Sequence, residues 1–201
     1  MSFTEHGTSG AFRIPDTAGD DARRFLPTLA RHAVAHRLER NEALPLATTA
    51  LPPPLDAEAA AFVTLYHEQR LRGCMGTLQP RAPLAGVVAR CAEDAALRDP
   101  RFPPVRWSEL EAVTITVSVL DPPEPLYAEN EEDLLRQLRP GEDGVILAEG
   151  AYRATFLPAV WEQLPDPEEF IRRLKRKAGL PEDHWSPHMR VERYGSTTYG
   201  D

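Results

Sequence analysis

A cysteine held between two glycines, two residues after an arginine, is the arrangement in this sequence best suited to chemistry. It stands as Arg72-Gly73-Cys74-Met75-Gly76-Thr77, within the run Leu71 to Thr77. Glycine in a strand interior loses backbone entropy and packs nothing, so two of them imply a bulge, a tight bend or the close approach of another group. On a functional reading, Cys74 is a thiolate nucleophile or redox group, and Arg72 is an anion clamp and stabilising charge. On a structural reading, Cys74 is a small buried hydrophobe and the glycines leave room for a helix crossing a hairpin. Strand alternation places Arg72, Cys74 and Gly76 on one face and Gly73, Met75 and Thr77 on the other. That shared face favours a polar pocket over an apolar core. Spacing assigns no His or Asp partner to the thiol, and both readings stand.

Asp99 and Arg101 flank Pro100 in Asp99 to Pro104, where three prolines stiffen the chain. A carboxylate and a guanidinium so held either orient a ligand or tie the loop to backbone. Glu124, among prolines, has the same two readings. The segment Asp166 to Ala178 carries Arg172, Arg173, Lys175, Arg176 and Lys177 in its second half. These complement a helix C-terminus and present either a solvated basic face or a contact for an anion or RNA, with Arg172, Lys175 and Arg176 the candidate ligands. His32 and His36 have the helical spacing of two metal ligands but no third, and His184 and His188 lie in a loop. No metal or cofactor is expected. The chain has no Walker motif, no GxGxxG opening a helix and no CxxxCxxC.

The elements that must position these groups follow from periodicity and punctuation. Residues 1–19 lack periodicity and read as a mobile leader. Asp21 to Arg40 keeps helical spacing, although Pro27 is best tolerated if the helix starts only a residue or two before it. Leu44 to Leu55 is extended. Ala61 to His67 and Arg70 to Thr77 flank a polar turn at Glu68-Gln69 and read as a hairpin. Ala82 to Leu97 is a helix, and Val113 to Leu120 is the clearest strand. A helix at Glu131 to Leu138 precedes a second hairpin, Gly144 to Glu149 and Tyr152 to Leu157. Pro158 to Leu164 is a short helix, Asp166 to Ala178 a longer one stopped by Gly179, and Met189 to Tyr194 a strand. Phe156, Trp161 and Phe170 read as core. Irregular alternation with hairpins favours an α+β fold over a doubly wound parallel sheet.

Composition narrows the class further. A net charge of −8 argues against broad binding to nucleic acid or anionic membrane, leaving only local basic patches for anions. No apolar run approaches the roughly 20 residues that span a bilayer, and nothing resembles a secretory signal, so a cytoplasmic location is expected. Cys74 and Cys91 are too few for a disulfide framework. Twenty prolines fall mainly in short clusters that punctuate the chain.

Taken together, the motifs resemble the AMMECR-type domain family, known in bacteria and archaea as protein A of the AmmeMemoRadiSam system. Its Arg-Gly-Cys-aliphatic-Gly-Thr signature stands here at Arg72 to Thr77, with Met75 at the aliphatic position. Matching runs follow in order at Asp99 to Pro104, Ser118 to Leu126, Arg139 to Leu147, Arg153 to Phe170 and Leu174 to Pro181, spanning about Phe62 to Tyr194. The resemblance implies a two-lobed α+β fold with antiparallel sheet and flanking helices, with residues 20–201 forming a single domain. It also implies association with a Memo-like protein and a radical-SAM protein. The expected role is to bind a substrate or partner in a cleft lined by Arg72, Gly73, Cys74, Gly76 and Thr77, with Asp99 and Arg101 at its rim. The alternatives are an enzyme using Cys74 with Arg72, and an adaptor with no pocket.

Overall fold

The computed structural model describes residues 22–46 and 53–200 of the chain. The expected leader lies outside the described residues, as does the middle of the extended stretch. The described residues fall into two compact units, one running to Val119 and completed from Thr198 onward, the other Leu120–Thr197. Among them no helix is long and apolar enough to cross a membrane.

In the first unit, helix α1 (Ala22–Arg40) packs with α2 (Leu84–Leu97) against a four-stranded sheet. The strands are β1 (Ala60–His67), β2 (Arg70–Thr77), β3 (Val113–Leu120) and β8 (Ser196–Gly200), in the order β2-β1-β3-β8, with a short helix α3 (Trp107–Leu110) before β3. Leu26, Leu29, Ala30, Ala33 and Val34 of α1 are fully buried, as are Val63, Leu65, Ile115 and Val117 of the sheet. This burial explains one departure from the sequence reading. The helix starts at Ala22, five residues before Pro27. A proline there forfeits a backbone hydrogen bond, but the apolar stripe that follows outweighs the loss. Arg37 Nε donates to Glu93 at 2.8 Å across the two helices. Arg31 ties α1 to the next layer, its guanidinium donating to the carbonyls of Leu110 (2.7 Å) and Val113 (2.6 Å).

The second unit holds β4 (Glu124–Leu126), α4 (Glu131–Gln137), β5 (Gly144–Glu149), β6 (Tyr152–Phe156), a 3-10 turn (Pro158–Glu162), α5 (Pro167–Ala178) and β7 (Arg190–Tyr194). Its sheet runs β4-β7-β5-β6, and all three ladders are antiparallel. Trp161 stacks on Phe170 at 3.8 Å, and its indole N–H donates to the Asp143 carbonyl at 2.7 Å, over a core that includes Leu134, Ile171 and Leu174. Asn130 and Asp166 cap α4 and α5, accepting from the backbone N–H of Asp133 and Glu169. The fold is α+β with antiparallel sheets.

Three elements escaped the sequence reading. Strand β4 lies in a Pro-rich run and includes Pro125, which is tolerated because β4 is an edge strand. Strand β8, Ser-Thr-Thr-Tyr-Gly, is polar and largely exposed, so it has no alternation to detect. Helix α3 is a single turn.

The hairpin carrying the motif departs from a plain ladder. Leu65 pairs with Gly73 but Tyr66 pairs with Leu71, so Arg72 is the extra residue of a β-bulge. Bulges sharpen the local twist and re-aim a side chain. The two turn residues, Glu68 and Gln69, both have left-handed backbone (φ 50° and 62°), as a two-residue hairpin matched to strand twist requires. The glycines answer to packing. A Cβ on Gly73 would lie 2.1 Å from the Ala95 carbonyl oxygen of α2, so the helix crosses the hairpin where no side chain fits. A Cβ on Gly76 would lie 2.3 Å from the Phe62 ring on the opposite face.

These contacts give two glycine substitutions opposite signs. Gly73→Ala must push helix backbone aside, and urea denaturation should show a loss of about 3 kcal/mol or more. Gly86, also in the first unit, would meet nothing within 4 Å. Gly86→Ala should therefore raise stability by roughly 0.5 kcal/mol through helix propensity.

Candidate functional site

Strand β2 is an edge strand, so at alternate residues its backbone N–H and C=O point away from the sheet. At Cys74 both groups are met by side chains from the connector after α2. The Asp99 carboxylate accepts the Cys74 N–H at 2.9 Å, and Arg101 Nη2 lies 3.4 Å from the Cys74 carbonyl. Arg101 closes a fork on Asp99, with Nε donating to Oδ1 at 2.9 Å and Nη2 to Oδ2 at 2.6 Å, while the Arg101 N–H also reaches Oδ1 at 3.1 Å. The structure thus brings together two candidate groups separated by 25 residues.

The Asp99 side chain is 2% exposed and that of Arg101 54% exposed. The carboxylate is therefore sealed in, while one side of the guanidinium faces water. The Arg101 hydrogen bonds, then those from the backbone N–H groups of Cys74 and Arg101, hold the Asp99 carboxyl well below the usual carboxylate range, against the opposing effect of burial. Arg101 also lies over the Phe102 ring, 5.4 Å from its centroid.

Arg72 is placed differently from the expected anion clamp. Its Nε donates to Glu109 Oε1 at 3.0 Å, its Nη2 to Oε2 at 3.2 Å, and its Nη1 to the Pro103 carbonyl at 2.8 Å. The side chain is 12% exposed. Its fork is occupied, and it fastens the connector and α3 to β2. Glu109 also accepts the Arg106 N–H at 2.9 Å, and the Arg72 bonds first, then that one, hold its carboxyl low. Glu109 gave no sequence signal for this role, because it lies 37 residues from Arg72.

Cys74 is half-buried, and its Sγ accepts from the Thr64 hydroxyl at 3.3 Å on the neighbouring strand. Thr77 bonds its hydroxyl locally, accepting the Gln79 N–H at 3.1 Å, and so turns the chain out of β2. Cys91 is the contrasting thiol: it is 3% exposed on α2, and burial pushes its pKa up to about 11.

The three basic candidates belong to the second unit. Lys175 is fully buried, with Nζ donating to Glu131 at 2.7 Å and to the Glu182 carbonyl at 3.1 Å, so it offers no positive surface. Arg176 bonds Glu182 at 2.9 Å, and Arg172 pairs with Glu169 and lies 3.9 Å from Glu182. The expected anion ligands are thus partners of carboxylates. The shallow depression here is acidic, lined by Glu131, Glu132, Glu168, Glu182 and Asp183 beside Arg172. A cluster the sequence reading missed joins Glu149 to the His184 ring at 2.8 Å and to the Ser186 hydroxyl at 2.8 Å. The carboxylate sits between the other two, so His184 orders a loop and does not activate Ser186. Among the described residues no group of three His, Cys, Asp or Glu side chains could hold a metal ion.

A depressed folded-state pKa stabilises the fold above the unfolded value of about 3.9 and loses that contribution as pH falls below it. Asp99→Asn should therefore cost roughly 1–3 kcal/mol at neutral pH, with the gap to wild type closing below about pH 4. Urea denaturation across the acid range checks both the size and the sign.

Comparison with known proteins places this geometry in a family. The AMMECR1 family pattern matches residues 27–199. A protein of Methanothermobacter thermautotrophicus is 40% identical over 176 residues, covering 87% of this chain and 91% of its own length. One of Thermococcus gammatolerans is 40% identical over 195 residues, covering 91% and 90%. The crystal structure of uncharacterized protein PH0010 from Pyrococcus horikoshii is similar with a TM-score of 0.83 at 34% identity, over 94% of each chain. With the Arg-Gly-Cys signature at a capped sheet edge and matches over nearly its whole length, the chain belongs to the AMMECR1 family.

Proposed function

We propose that this protein is a binding component of an AmmeMemoRadiSam modification system, working with Memo-like and radical-SAM proteins. It would engage a substrate or partner along the edge face formed by β2 and residues 99–109. The observation that supports this most directly is Arg101: a half-exposed guanidinium immobilised by a sealed carboxylate and laid on the backbone of Cys74. The Nε and Nη2 edge of the guanidinium is taken by Asp99, but among the described residues Nη1 is uncommitted, and a group so fixed has already lost the rotamer freedom that recognising a carboxylate or phosphate would cost. Radical chemistry would come from the partner.

A second reading is an enzyme that uses the Cys74 thiol. Its support is the half-buried position of Cys74 beside the Thr64 hydroxyl and the Arg101 guanidinium. On this reading Arg101 takes the stabilising role, because Arg72 is committed to Glu109 and Pro103.

Three substitutions separate these roles. Arg101→Lys keeps a cation opposite Asp99 but removes the planar fork. It should cost about 1 kcal/mol of stability, leaving the protein folded, while reducing co-purification with the Memo-like and radical-SAM proteins at least tenfold; undiminished co-purification would sink the binding reading. Arg72→Ala should instead destabilise the fold by about 2–3 kcal/mol, because Glu109 loses its partner. For the enzymatic reading, iodoacetamide at neutral pH should label Cys74 in the native protein and Cys91 only on unfolding. If Cys74 also stays unlabelled until unfolding, it is no nucleophile; Cys74→Ser then should leave co-purification intact.

A further inference from the structure

Resting on the edge-face reading above, we propose that the occupant of this face is an acidic segment of a partner protein that also carries apolar side chains. The argument starts from charge. In a chain of net charge −8, the face itself, residues 70–77 and 99–109, carries four arginines and two acidic residues, a local excess of two positive charges. The acids near the edge are already committed, Asp99 to Arg101 and Glu109 to Arg72. Arg70 and Arg106 are exposed, and among the described residues neither makes an ion pair. Arg101 is half-exposed and Arg106 directly precedes α3. Glu68 and Glu111 are the exposed carboxylates at the margins of the stretch.

The same edge carries unpaired apolar surface. Trp107 is 60% exposed and opens the turn whose Glu109 grips Arg72; Leu71, beside Arg72 at the bulge, is 40% exposed. These are the only two large exposed hydrophobic side chains of the first unit among the described residues. Arg101 lies against Cys74 and Glu109 against Arg72, two strand residues or about 7 Å apart along β2. Tryptophan and arginine are the side chains enriched where a few residues carry most of a protein–protein binding energy. A single-stranded nucleic acid would also use arginine and an aromatic, but it needs a groove of positive charge. Here Arg72 is taken by Glu109, and Arg70, Arg106 and the outward side of Arg101 are too few to line such a groove, while Leu71 offers no stacking face. A peptide carboxylate with a neighbouring apolar side chain fits the pattern better: the carboxylate takes the outward donors of Arg101 or Arg106, and the apolar group covers Trp107 or Leu71.

The test uses the full chain and fluorescein-labelled probes in 150 mM salt, read by fluorescence anisotropy. The probes are a decapeptide alternating glutamate and leucine, its lysine–leucine counterpart, a glutamate–serine decapeptide, and decauridine. The glutamate–leucine peptide should bind at least tenfold more tightly than each of the others. Trp107→Ala and Arg106→Ala, both surface changes that should leave the thermal midpoint unaltered, should each weaken it about fivefold or more. Equal binding of the glutamate–serine peptide removes the apolar half of the proposal. Tighter binding of decauridine replaces the peptide with nucleic acid, and binding indifferent to both substitutions moves the peptide off this face. Each of these results overturns the proposal. The edge-face reading fails separately, if Arg101→Lys co-purifies with its partners as wild type does.

Discussion

Two hydrogen bonds to the backbone of one residue, Cys74, do the work of an absent neighbouring strand. Strand β2 ends its sheet, and Asp99 and Arg101 supply an acceptor for its N–H and a donor for its C=O. Much of the first unit is arranged around that junction. The connector that carries the pair continues to Pro103, whose carbonyl is held by Arg72, and Arg72 in turn grips Glu109 of α3. From α3 the path runs through the Leu110 carbonyl to Arg31 of α1. A continuous polar chain therefore links the sheet edge to the first helix. Buried charge in such a chain is stable only because every member is paired.

The second unit uses the same chemistry at other places. Asp143, fully buried, is gripped by Arg139, whose own backbone N–H it accepts at 2.9 Å. Lys177 covers the end of edge strand β6, donating to the Thr155 carbonyl at 2.9 Å. Both sheets thus have an edge closed by side chains, which discourages pairing with another chain. In the first unit the closing group is a planar guanidinium held on a buried carboxylate, a geometry that an ammonium cannot offer. That difference is why the binding reading rests on Arg101 and not on Lys177.

Most elements were legible in the sequence because their signals are local. Apolar periodicity located α1 and α2, proline and glycine punctuation located α5, β-branched alternation located β3, and the polar pair at 68–69 located the first hairpin. Part of the arrangement around the motif was legible too: Asp99 and Arg101, expected at its rim, both lie against Cys74. Their division of labour was not. Which arginine holds the fold and which faces solvent depends on Glu109 and Pro103, more than 30 residues away from Arg72. The glycines signalled a bulge among other readings but not its position, since alternation alone treats Arg72 as an ordinary strand residue. The glycines were open to two readings, and the structural one holds at Gly73, where α2 crosses the hairpin at Ala95; at Gly76 the close neighbour is the Phe62 ring.

The placement of the tryptophans gives the two units different optical visibility. Trp161 is 3% exposed and stacked on Phe170, whereas Trp107 is 60% exposed. An indole already in water emits near its unfolded wavelength, so melting of the first unit barely moves the emission maximum. Loss of the second unit's core frees Trp161 and shifts emission to the red. Intrinsic fluorescence therefore follows the unit without the Arg-Gly-Cys signature, and a denaturation curve recorded that way says little about the sheet edge itself.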